Sequence, residues 1–131
     1  PLLSNKVNSI WMTEKTQLAA AEAARLAVDV ASEMQATNIV MLDMRGPFGF
    51  TDYFVILTAE SRRQMQALLE DIDQALENAG MTLHHKEGTP DGGWVLMDYG
   101  DMVIHVFAPE EREYYHLEQL WSQATVMFRV Q

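Results

Sequence analysis

The sequence predicts an α/β (α+β) domain: a mixed β-sheet flanked by helices, in the order α-β-β-α-β-β-β-α. Three observations carry this. Two long stretches place apolar residues at helical spacing. Short apolar runs bounded by Gly, Pro and Asp alternate with them and read as strands. Two adjacent strands, a helical crossover and a meander together imply a sheet with both parallel and antiparallel neighbours.

The first helix is expected over residues 17 to about 37, an Ala-rich stretch with Leu18, Ala21, Leu26, Val30 and Met34 near helical spacing. Residues 38–44, NIVMLDM, read as a strand, and RGPFGF (45–50) as a turn. DYFVILT (52–58) is a nearly unbroken apolar run, the pattern of a central strand covered on both faces. Ser61-Arg62-Arg63-Gln64 has the form of a capping box. Met65, Leu68, Leu69, Ile72 and Leu76 follow as one apolar stripe, and Gly80 is the expected stop. MTLHHKEG (81–88) reads as a weaker strand and TPDGG (89–93) as a loop, followed by a hairpin. A last helix is expected from near Pro109, with Tyr114, Leu117, Leu120 and Trp121 inward. The final ten residues fit strand, helix or fray alike.

A chain of 131 residues is long enough for one domain with its own core. Residues 1–16 read as a flexible leader, with Met12 a candidate internal start, and 17–131 as a single domain. The opening residues lack the apolar core of a signal peptide, and no apolar run is long enough to span a membrane. The absence of cysteine excludes disulfides, a thiol nucleophile and thiolate-bound zinc. A cytoplasmic location is the expectation. The formal net charge of −10 disfavours direct contact with phosphate backbones. A basic protein is the partner such a surface would steer towards itself.

The stretch GGWVLMDYGDMVIHVF (92–107) concentrates the candidate functional residues. With Tyr99-Gly100 as the loop, Trp94 would face His105, Leu96 would face Val103, and Asp98 would face Asp101. These six would share one face, leaving Val95, Met97, Met102, Ile104 and Val106 on an apolar one. A three-residue loop would pair Asp98 with Met102 and scramble the faces. The first register is preferred because it segregates polarity. It makes Trp94, Asp98, Asp101 and His105 an open mixed surface. Each also has a structural reading: packing for Trp94, bonds to turn backbone for the aspartates, a satisfied strand histidine for His105.

Enzyme chemistry finds little support. His84, His85, Asp98, Asp101 and His105 could ligate a metal, but adjacent His84 and His85 point to opposite faces, and no metal-binding spacing appears. GxSxG and phosphate-loop patterns are missing, and Ser61 is better explained as a cap. The element order suits a nucleotidyltransferase-like fold, which would need paired carboxylates for magnesium. Thr51-Asp52-Tyr53 offers one acid where two are needed. No cofactor is implied.

Several stretches recur in one known family: LDMRG (42–46), TDYFVI (51–56), SRRQ (61–64), EG (87–88), GWVLMDYGDMVIHVF (93–107) and REYYHLEQLW (112–121). Together they resemble the ribosomal silencing factors, also called the Iojap family. The resemblance spans about residues 38 to 121. It implies a nucleotidyltransferase-like domain without the catalytic acids. It further implies binding to the large ribosomal subunit through a basic protein, large-subunit protein fourteen. Little direct rRNA contact and no membrane are expected. Occupying that surface would block small-subunit joining and repress translation, notably when nutrients are short; organellar relatives are tied to large-subunit biogenesis.

On this reading Trp94, Asp98, Gly100, Asp101 and His105 bind the partner. Asp52, Arg63 and Glu87 are further candidates, with an Arg63–Glu87 salt bridge as the structural alternative. Ser61, Gly88, Tyr115, Leu117 and Trp121 are structural. Two alternatives stay open: a magnesium-dependent nucleotidyltransferase-like enzyme with a degenerate site built on Asp52, Asp98 or Asp101, and a homodimer joined through the hairpin face.

Overall fold

The computed structural model describes residues 20–46, 49, 51–117 and 125–130. Helix α1 occupies 20–33. It is followed by β1 (Thr37–Asp43), β2 (Tyr53–Thr58), α2 (Arg62–Asn78), β3 (His85–Thr89), β4 (Trp94–Asp98), β5 (Met102–Phe107), α3 (Pro109–Tyr115) and β6 (Thr125–Val130). The expected order holds, and the tail that the sequence left open supplies a sixth strand.

The six strands form one sheet in the order β3-β4-β5-β2-β1-β6. β2 and β5 run parallel, and the other neighbouring pairs are antiparallel. This mixture follows from the connections. α2 carries the chain away from β2, and the β3-β4-β5 meander returns it alongside in the same direction. All six residues of β2 are buried, as an apolar run between two covered faces requires.

α2 begins as its sequence signature predicts. The Ser61 hydroxyl accepts from Gln64 N–H at 3.0 Å, while the Gln64 side chain accepts from Glu60 N–H at 2.6 Å. The reach back therefore falls one residue before the cap. At the other end Met81 N–H bonds to Leu76 C=O and Gly80 N–H to Glu77 C=O, with Gly80 at φ +92°. That pair of bonds is the Schellman closure. Met65, Leu68, Leu69, Ile72 and Leu76 are buried, as the stripe predicts.

α1 differs from expectation. Its buried face is Ala20, Ala23, Ala24, Ala27, Val28 and Ala31, while Ala21, Leu26, Val30 and Met34 are partly buried at its flanks. Small side chains let the helix backbone approach the sheet, and the longer ones wrap its sides. Leu18 lies outside the described residues.

α1 and α2 cover one sheet face, meeting Val55, Leu57, Val95, Met97, Met102, Ile104 and Val106. The opposite face gathers Val40, Leu42, Met44, Phe54, Ile56, Val103, Phe107 and Leu117, with Trp94 and Leu96 packed against them. Among the described residues no helix is long and apolar enough to cross a membrane.

Candidate partner-binding surface

The hairpin is built two residues out of the expected register. Trp94 pairs with Phe107, Leu96 with His105 and Asp98 with Val103. Tyr99 N–H donates to Met102 C=O at 2.9 Å, leaving Gly100-Asp101 as the tip. Gly100 has φ +90°, the sign that a two-residue II′ turn takes at its first position. The physical reason is Tyr99. Its ring is buried, and its hydroxyl donates to Asp73 Oδ1 at 2.6 Å, tying the hairpin to α2. Burial and the Asp73 carboxylate both raise its pKa. An even shift preserves the faces, so Val95, Met97, Met102, Ile104 and Val106 are all buried in the helical core as expected.

The shift does separate the acids. Asp98 and Asp101 are not opposed. Asp98 Oδ1 accepts from Gly100 N–H at 2.7 Å and so caps the turn. Asp101 is exposed at the tip, and its carbonyl accepts from Asp52 and Tyr53 N–H at 3.0 and 3.1 Å. Half-buried Asp52 thus starts β2 against the tip. Among the described residues no three His, Asp or Glu side chains are grouped to hold a metal ion.

His105 is not exposed. It is 3% accessible, and burial pushes its pKa down to about 3. The Trp94 indole N–H donates to His105 Nδ1 at 3.2 Å. The neutral ring therefore carries its proton on Nε2, which has no hydrogen-bond partner among the described residues. Phe54 meets the imidazole edge-on at 4.6 Å. Trp94, half-buried, stacks on Phe107 at 4.8 Å and touches Tyr115 at 4.6 Å. Its backbone is packed just as closely. A Cβ on Gly88, at φ +87°, would lie 2.0 Å from the Trp94 carbonyl oxygen, so that strand crossing requires glycine.

The open mixed carpet of the sequence reading is therefore corrected. Trp94 and Asp98 stand four residues apart, about 13 Å at strand rise. His105 supports Trp94 from within. Gly100 serves the turn. Glu87 pairs with His85 at 2.7 Å rather than with Arg63, which is exposed in the first turn of α2. Its neighbour Arg62 bonds Asp91 in the loop before β4.

What the sequence reading missed lies beside Trp94. Tyr114, expected inward, is 80% exposed, and Tyr115 is 42% exposed. The two rings meet edge-to-face at 5.1 Å. α3 stops at Tyr115 because His116 turns left-handed at φ +47°, which breaks the helical spacing that starts at Pro109. Leu117 is buried, while Leu120 and Trp121 lie outside the described residues. Glu110 and Glu113 are exposed on the same short helix. The result is an aromatic ledge with acidic neighbours, backed by a rigid ring stack.

A family model described as "Ribosomal silencing factor during starvation" (RsfS) matches residues 17–131. The chain belongs to the ribosomal silencing factor family. The match runs past Trp121, beyond the stretch that the motifs alone covered. A Bacillus subtilis protein named "Ribosomal silencing factor RsfS" is 43% identical over 101 residues, covering 76% of this chain and 85% of the relative. A mouse protein named "Mitochondrial assembly of ribosomal large subunit protein 1" is 33% identical over 98 residues, covering 72% of this chain and 43% of the relative. A Chromobacterium violaceum crystal structure superposes with a TM-score of 0.73 at 33% identity, covering 78% of this chain and 85% of that one.

Proposed function

We propose that this silencing factor represses translation by docking on the large ribosomal subunit and sterically blocking small-subunit joining. Its direct contact is a basic protein, large-subunit protein fourteen. The observation that carries the docking surface is the ledge of Trp94, Tyr115 and Tyr114, which rises from a buried ring stack to 80% exposure at Tyr114. Rigid Tyr and Trp rings are the side chains that dominate interface energetics. Glu110 and Glu113 beside them can accept from Arg or Lys.

Family membership supports a ribosome-associated silencing role. The mouse relative's name supports the large subunit. The net charge of −10 favours a basic protein over rRNA. No covalent step is involved, so the protein acts by occupying space, in the cytoplasm. Asp101 and Asp52, at the far end of the hairpin, bind only if the partner's footprint extends that far.

Sedimentation with purified subunits tests this. The protein should comigrate with large subunits and not with small ones, and added salt should weaken the complex. Trp94→Ala should weaken it at least ~10-fold while the far-UV spectrum is kept. Asp101→Lys reports how far the footprint reaches along the hairpin. Comigration with small subunits, or full binding by folded Trp94→Ala, would defeat the proposal.

A further inference from the structure

The register of the hairpin decides what holds Trp94. Leu96 stands opposite His105, so Trp94, two residues along on the same face, is the diagonal neighbour of His105. Diagonal neighbours across a strand pair lie within reach of aromatic side chains. The rings around Trp94 then touch it in different ways. It stacks on Phe107 at 4.8 Å with the planes 27° apart, and it meets Tyr115 at 4.6 Å and 50°. The His105 ring is farther, at 5.9 Å between centroids, and its contact is the hydrogen bond from the indole N–H to Nδ1 at 3.2 Å.

These contacts restrain the indole to different degrees. Stacking holds the plane of the ring, but it tolerates sliding and a half-turn about the Cβ–Cγ bond, a torsion that is broad in aromatic side chains. The bond to Nδ1 has a direction. It selects the rotamer in which the N–H edge points into the molecule. The indole has no other polar atom, so whatever it presents outward is carbon.

The fold alone does not call for a histidine at this position. His105 lies between Ile56 on β2 and Leu96 on β4, with Phe54 edge-on, where an apolar side chain of similar size would fill the same space. Instead one ring nitrogen accepts from Trp94, and the other has no partner among the described residues. A buried donor left unpaired weakens folding, whereas apolar replacement is often neutral or stabilising. What the imidazole supplies, and an aliphatic side chain does not, is the acceptor at Nδ1.

We propose that His105 is a positioning residue for docking: its Nδ1 locks the Trp94 indole in the rotamer that binds, with only ring carbon offered to the partner. This rests on the aromatic ledge being the docking surface, as proposed above. A guanidinium laid flat on the ring suits such a surface, because it needs no acceptor from the indole. Without Nδ1 the indole samples other rotamers, and the apparent affinity falls with the fraction that remains competent. Ordering one such side chain corresponds to roughly 2- to 10-fold in affinity.

Two measurements test this on the full chain. The first needs no ribosome: the Trp94 indole N–H is followed by NMR and assigned by its loss in Trp94→Phe. In the parent it should be protected from hydrogen exchange. In His105→Leu it should exchange at least ~10-fold faster, while the thermal midpoint is unchanged or higher because the half-buried indole turns its N–H to water. The second is affinity for large subunits. His105→Leu should weaken it about 2- to 10-fold, but cause no further loss in a Trp94→Ala background, because His105 acts through Trp94. His105→Asn places a carbonyl oxygen near the position of Nδ1 and should bind more tightly than His105→Leu. An unprotected indole in the parent, unchanged protection in folded His105→Leu, or equal losses of binding in both backgrounds would overturn the proposal. The parent indole decides even where a variant fails to fold. Failure of the parent to comigrate with large subunits defeats the docking reading instead, and leaves the indole measurement standing.

Discussion

The two faces of the sheet bury side chains in different ways. On the helical face, aliphatic side chains from β2, β4 and β5 meet the alanines of α1 and the stripe of α2. That contact is non-directional and scales with the area removed from water. On the other face, Trp94, His105, Phe107 and Phe54 form a ring cluster with one indole–imidazole hydrogen bond inside it. Ring stacking and a hydrogen bond specify orientation as well as burial. Both faces bury apolar side chains, but the helical face carries the larger cluster, whereas the aromatic face also fixes the orientation of the rings at its edge. Stability and partner binding should therefore separate when each face is altered in turn.

The largest effect belongs to the helical face. Ile104 is fully buried between the sheet and the helices. Ile104→Ala should cost about 3–4 kcal/mol in chemical denaturation, combining lost transfer energy with a residual cavity. The fraction that remains folded should bind large subunits with parental affinity. A binding defect in that folded fraction would show that the two faces are not separable.

The aromatic face should give a smaller effect, and one that depends on pH. His105 is buried neutral, with a pKa of about 3 against 6.5 for the free side chain. A histidine whose folded pKa is depressed protonates more readily in the unfolded chain. The native state therefore loses no stability from this group above pH 6.5 and loses it progressively as pH falls below that value. The cost reaches about 2 kcal/mol at pH 5. Protonation would also remove the Nδ1 acceptor that holds Trp94. Denaturation midpoints measured from pH 7.5 to 4.5 should show this acid limb, and His105→Gln should flatten it. An unchanged limb in that variant would place the titration elsewhere.

Much of the helical face was legible in the sequence, and less of the aromatic face. The α2 stripe, the Ser61 cap and the unbroken run of β2 follow from local periodicity and capping chemistry, which act within a few residues. The hairpin faces were legible too, because a two-residue slip leaves alternation intact. The register itself was not, since it depends on the Tyr99 hydroxyl reaching Asp73 in another element. The alanine face of α1 was hidden because spacing weighs large side chains, while close helix–sheet approach selects small ones. The geometry of the candidate site was legible only in part. Trp94 is half-buried at the edge of the ring cluster, but His105 was read as exposed and lies inside it, bonded to the Trp94 indole. Tyr114 was read as inward because nothing local marks His116 as a left-handed stop.

Tyr114 should give the smallest change in stability. At 80% exposure its ring contributes little to the core, and its described ring contact is the edge-on one with Tyr115. Tyr114→Ala should shift folding free energy by no more than about 0.5 kcal/mol, as surface substitutions generally do. If the aromatic face exists to aim side chains at a partner, the same variant should weaken large-subunit binding about 10-fold, the scale of an interface anchor. Tyr114→Phe keeps the ring and loses the hydroxyl, so it separates stacking from hydrogen bonding. Near-parental binding by Phe with loss by Ala assigns the contact to the ring face. Parental binding by both would remove the outer end of the ledge from the interface and confine docking to Trp94 and Tyr115, where stability and binding can no longer be varied independently.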